Sequence, residues 1–133
     1  MAHILVVEDD RAYSALLAQA LLDEGHEVRC AAGPREALRS VDAYWPDLLI
    51  TDWLLKDREV EIDGLDVAHH LQTIRPGTPI IFVTGMKRPL LEQNARGLWI
   101  YKVFEKPVDL DALLSGVRDA LGVLEESRVF VDR

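Results

Sequence analysis

Short, β-branched apolar runs that end in an acidic or hydroxyl residue recur along this chain, with amphipathic stretches between them. They read Ile4-Leu5-Val6-Val7, Leu48-Leu49-Ile50-Thr51 and Ile80-Ile81-Phe82-Val83. Runs this short and this continuously apolar suit strands buried on both faces of a parallel sheet. Strands that alternate with helical patterns are the signature of repeated βα units.

The remaining elements follow the same alternation. Glu27 to Ala31 reads as a second strand, and Trp99 to Phe104 as a fifth, weakened by Lys102. Tyr13, Leu16, Leu17, Ala20 and Leu21 recur at helical spacing in a first helix that Gly25 ends. Gly33-Pro34 opens a second helix carrying Ala37, Leu38 and Val41, with the proline in its favoured first turn, and Pro46 stops it. Leu65, Ala68, Leu71 and Ile74 mark a third, closed by Pro76-Gly77. A fourth is expected over 89–96. A fifth starts near the capping residue Asp109 and buries Leu110, Leu113, Leu114, Val117 and Leu121. The prediction is an α/β fold: a flavodoxin-like, doubly wound, five-stranded parallel sheet in the order 2-1-3-4-5, with five helices, because right-handed crossovers leave few alternatives.

A length of 133 residues suits one domain, expected over 1–122, with a short C-terminal tail over 123–133. That tail is too short for a second domain, so no output module is expected on it. Its Val129-Phe130-Val131 reads as a frayed end or as a strand for a sheet edge or a partner chain. The net charge of −8, with Lys and Arg scattered, argues against a nucleic-acid face. No apolar stretch approaches the ~20 residues that span a bilayer, and Met1-Ala2-His3-Ile4 shows no basic stretch followed by a long apolar segment, so no secretory signal is expected. The single cysteine, Cys30, beside Val28, Ala31 and Ala32, reads as a core thiol in a reducing compartment. A soluble, cytoplasmic domain without membrane contact is the expectation.

In a sheet of this order, ligands bind in the crevice at the carboxyl ends of the strands. Glu8, Asp9, Asp52, Thr84 and Lys106 fall there. Alone, Glu8-Asp9-Asp10 equally describes a solvated acidic turn, and Asp10 suits the N-cap of the first helix. Asp52 shifts the balance because it follows a continuously apolar strand. Converging carboxylates repel unless a cation holds them, and Mg²⁺ takes one or two carboxylates plus a phosphate. Asp9 and Asp52 suit direct ligation, with Glu8 reaching through a water. A carboxylate such as Asp52 can also attack phosphorus. Thr84 and Lys106 would then serve the phosphoryl oxygens.

The chain resembles the CheY-like receiver domain of bacterial two-component response regulators over residues 3 to 121. The resemblance rests on Ile4 to Asp10, Gly25-His26-Glu27-Val28, Glu36-Ala37-Leu38, Pro46 to Asp52, Asp63-Gly64-Leu65, Val83-Thr84-Gly85 and Lys106-Pro107. It implies that Asp52 is a phosphoacceptor supplied by a sensor histidine kinase or a histidine phosphotransfer protein. Glu8, Asp9, Asp52 and the carbonyl of Leu54 would bind Mg²⁺, and Thr84 and Lys106 would bind the phosphoryl group. It further implies a frequent cis peptide before Pro107, docking of a downstream protein target on the face of the fourth helix, fifth strand and fifth helix, and, as one option, a homodimer formed on phosphorylation. Such a domain catalyses only its own phosphorylation and dephosphorylation and is otherwise no enzyme.

Several positions depart from the family pattern. Gly64 lies twelve residues after Asp52, where receivers usually have eight, so the loop over 55–63 is longer, and Lys56 replaces a common proline. The loop reads either as a determinant of partner choice or phosphate cover, or as a tolerated surface insertion. Val103 stands where a switch aromatic is common. Tyr101 shares the strand parity of Val103, and Phe104 faces the other way. Apolar Leu54 and Met86 predict a long-lived phosphoaspartate. His69 and His70 are adjacent on a helix and make poor metal ligands, and Trp45, Trp53 and Trp99 read as core or rim aromatics. Phosphatases of the haloacid-dehalogenase type need a second aspartate two residues after the nucleophile, where this chain has Leu54. A constitutive pseudo-receiver conflicts with the intact acid, threonine and lysine set.

Overall fold

The computed structural model describes residues 1–53, 63–85, 95 and 97–131, the last nine of these by backbone alone. Strand β1 (His3–Val7) leads to α1 (Arg11–Asp23), β2 (Glu27–Ala31), α2 (Pro34–Ala43), β3 (Leu48–Thr51) and α3 (Gly64–Ile74). Then come β4 (Ile80–Thr84), β5 (Lys102–Glu105) and α4 (Leu110–Val131). All strands are parallel, in the order β2-β1-β3-β4-β5. The flavodoxin-like sheet is therefore as expected. Four helices fall among the described residues, and the helix expected over 89–96 lies outside them.

Strand pleating divides the apolar runs between two cores. Leu5, Val7, Leu49, Ile80 and Phe82 face α2 and α3, where they meet Ala37, Val41, Leu65, Ala68 and Leu71. Ile4, Val6, Leu48, Ile50, Ile81 and Val83 face α1 and α4, packing with Leu17, Leu21, Leu113 and Val117. Helix ends follow local chemistry. Asp10 caps α1 by accepting the N–H of Tyr13 at 3.0 Å, Gly25 follows its end with φ +90°, and Pro34 occupies the first turn of α2. Asp63 and Asp66 form a reciprocal capping box at the start of α3.

Three expectations are corrected. Cys30 is exposed, because β2 is an edge strand on which only Ala31 is buried. The last strand begins at Lys102 rather than Trp99, so strand parity does not govern Tyr101. Tyr101 packs with Phe104 on the α1/α4 side, whereas Val103 packs on the α2/α3 side. Val129-Phe130-Val131, read as a frayed end or a strand, instead lies in α4, which continues through 123–131 with neither proline nor glycine to break it. Trp53 is buried, while Trp45 and Trp99 are about half exposed on the rim.

Candidate functional site

Glu8, Asp52, Thr84 and Lys106 stand at or one step beyond the carboxyl end of a strand, held there by the parallel ladder or its continuation, and Asp9 follows Glu8 one residue further on. Glu8 donates its N–H to the Ala31 carbonyl at 3.0 Å, and Asp52 donates to the Val7 carbonyl at 3.1 Å. Thr84 is the buried last residue of β4, paired with Glu105, and its carbonyl accepts the Lys106 N–H at 2.9 Å. The peptide between Lys106 and Pro107 is cis.

The side chains converge. One carboxylate oxygen each from Glu8, Asp9 and Asp52 lies within 4.8 Å of the others. Glu8 is buried, Asp52 nearly so, and Asp9 is half-buried. The Lys106 ammonium donates to Asp52 Oδ2 at 2.8 Å and also to Glu8 Oε1. The second Glu8 oxygen accepts the N–H of Asp10 at 3.2 Å. Burial pushes the Glu8 carboxyl above its ordinary value, against the hydrogen bonds from Lys106 and Asp10 that pull it down. Burial also works against the Lys106 charge, but the Asp52 and Glu8 carboxylates outweigh it and hold the ammonium above its usual value.

Three clustered hard oxygen donors fit a divalent cation of the Mg²⁺ kind, which is held by few carboxylates and keeps much of its water. The fold thus brings together Glu8, Asp9, Asp52 and Lys106, with Thr84 on the adjacent strand end. Leu54, Met86, Lys56 and the rest of the extended loop up to Ile62 lie outside the described residues. His70 pairs with Asp42 at 2.8 Å between α3 and α2, away from the crevice.

Two contacts beside the site are not foreseen by the sequence reading. Asp63 accepts the Trp53 indole N–H at 3.1 Å while capping α3, and its spacing to Asp66 is the signal that marks it. Tyr13, read as a helix core position, lays its ring beside Lys106, with the ammonium 4.8 Å from the ring centroid. No local pattern marks that contact.

An acidic crevice closed by a lysine, at the strand ends of a doubly wound sheet, defines the class of small signalling domains that carry such a pocket. The family model for the response regulator receiver domain matches residues 4–118. The chain is 34% identical over 122 residues to the transcriptional regulatory protein GlrR of Escherichia coli (strain K12), which covers 90% of this chain but 26% of GlrR. The solved structure of NtrX from Brucella abortus superposes with a TM-score of 0.87 at 30% identity, covering 98% of this chain and 30% of that one. The CheY-like receiver domain protein from Methanospirillum hungatei JF-1 gives 0.82 at 28% identity, covering 96% and 98%. This chain belongs to the response regulator receiver domain family. It spans about a quarter of the length of GlrR. Among the described residues, no helix is long and apolar enough to cross a membrane.

Proposed function

We propose that Asp52 accepts a phosphoryl group from the phosphohistidine of a sensor histidine kinase or a histidine phosphotransfer protein, and that the domain then signals by binding a protein target in the cytoplasm. The observation that carries this reading is the Lys106 ammonium held between Asp52 and Glu8 at the strand ends. In the transfer, the bond from the donor nitrogen to phosphorus breaks as an Asp52 oxygen bonds to phosphorus, and the imidazole leaves with the electron pair. Asp9 and Asp52, with Glu8 through a water, would hold Mg²⁺, which would supply the positive charge that offsets the carboxylates and the transferring oxygens.

The chain's own residues supply position and charge. Lys106 exchanges its Asp52 contact for a phosphoryl oxygen, and Thr84 donates its hydroxyl to another. Glu8 keeps one oxygen on the Asp10 N–H and the other on the Lys106 ammonium, and the latter would also be the one to accept from a water on the cation. Such a site does no multiple-turnover chemistry on a separate substrate. The acidic composition supports a protein partner rather than a nucleic acid.

The test is incubation with Mg²⁺ and acetyl phosphate, comparing the wild-type chain with Asp52→Asn. A hydroxylamine-labile phosphoryl adduct in the wild type alone is expected. Equal labelling of Asp52→Asn, or no labelling of either, overturns the reading.

A further inference from the structure

We infer that Tyr13 is a positioning residue for Lys106, acting through its ring face and its hydroxyl at once. This deepens the function proposed above and rests on it for its kinetic consequence, although not for its geometry.

Two contacts meet on this one side chain. The Lys106 ammonium lies 4.8 Å from the centre of the Tyr13 ring. The Tyr13 hydroxyl accepts the backbone N–H of Val108 at 3.1 Å. The residues on either side of Pro107 are thus both held by α1. Tyr13 is itself fixed, because its own N–H is the donor that Asp10 caps. It is half-buried against the core between α1 and α4. A leucine here could fill that space but offers neither a π-face nor an acceptor.

The arrangement matters because Lys106 must change partners. In the resting crevice its charge is shared between Asp52 and Glu8. An arriving phosphoryl group draws the ammonium away from the Asp52 carboxylate. A lysine has a long, flexible stem, and an unguided ammonium is hydrated and mobile. The aromatic face gives it a third, charge-compatible wall that stays in place whichever anion it pairs with. The hydroxyl tie to Val108 keeps the start of the lysine stem in register while its end moves.

The experiment uses the full chain with Tyr13→Phe and Tyr13→Leu. In the unphosphorylated protein, NMR of the Lys106 ε-methylene should show an upfield ring-current shift in wild type and Tyr13→Phe, and its loss in Tyr13→Leu. With Mg²⁺ and saturating acetyl phosphate, Tyr13→Leu should label about tenfold more slowly than wild type. Tyr13→Phe should lose roughly threefold or less, since it forfeits only one neutral hydrogen bond. Should Tyr13→Leu not fold, Tyr13→Met carries the same expectations, as it lacks both ring and hydroxyl. A folded leucine or methionine variant that labels at the wild-type rate, or that keeps the methylene shift, overturns the inference. Labelling that survives Asp52→Asn instead overturns the phosphoacceptor reading and leaves the methylene result standing.

Discussion

A side-chain carbon placed on Gly64 would fall 1.8 Å from the carbonyl oxygen of Asp52. The first residue of α3 therefore lies directly against the backbone of the crevice carboxylate, and its N–H donates to the Trp53 carbonyl at 2.7 Å. The obstacle is backbone, which no rotamer change relieves. Gly64→Ala should cost about 2–3 kcal/mol in urea unfolding and lower acetyl phosphate labelling, because the Asp52 main chain must shift. An alanine variant with wild-type stability and labelling contradicts this packing.

Lys106→Gln should separate metal binding from phosphoryl transfer. Without the ammonium that neutralises Asp52 and Glu8, the crevice becomes more negative. Mg²⁺ should bind several-fold more tightly in a Trp53 fluorescence titration, while the labelling rate falls roughly ten- to a hundredfold for want of transition-state charge. Weaker metal binding in this variant would run against the electrostatic account.

Asp63 joins two structures. Its carboxylate caps α3 through the N–H groups of Leu65 and Asp66, and it accepts the Trp53 indole. Burial raises its pKa, opposed in part by those donors. Asp63→Ala should lose about 1–2 kcal/mol in urea unfolding. Asp63→Asn keeps an oxygen for the cap and should recover much of it. Equal losses in both variants would place the effect outside the cap.

Acid sensitivity should arise partly at the amino-terminal edge of the sheet. Burial, with Arg29 for His3 and the N-terminal amine for His26, pulls both imidazoles below the ordinary value of 6.5. The unfolded chain then takes up protons first. The stability these groups contribute is complete above about pH 6.5 and is lost as pH falls through the folded values. Glu8 and Asp63 are shifted upward, so their contribution has the opposite sign and is lost as pH rises through their folded values. His26 Nδ1 accepts the Ala2 N–H at 3.2 Å, an acceptor that His26→Asn keeps without the charge change. The fall in urea midpoint between about pH 7.5 and 5.5 should be smaller in His26→Asn than in wild type. An unchanged fall would remove His26 from the account.

Strand positions were legible because three of the runs are continuously apolar, and such runs have few uses other than a buried parallel sheet. Asp52 was legible for the same reason, as an acid at the end of a run like Leu48 to Thr51 is costly without a partner. Cys30 misled because its apolar neighbours do not reveal that β2 is an edge strand. The start of β5 misled because Trp99 to Tyr101 has strand-like composition, but only Tyr101 of the three continues the ladder, by donating its N–H to Ile80. Tyr13 and Val108 are 95 positions apart, so no local pattern links them. The Trp53–Asp63 bond, in contrast, left a trace in the spacing of the cap.

The lysine that closes the crevice also works as a stitch. Through its main chain it is sewn to β4 at Thr84, and through its ammonium to the ends of β1 and β3. Four of the five strands therefore share one fastening at their carboxyl ends. An event that made this ammonium change partners would therefore bear on four strand ends at once, turning a local exchange of charge into a pull along the rim.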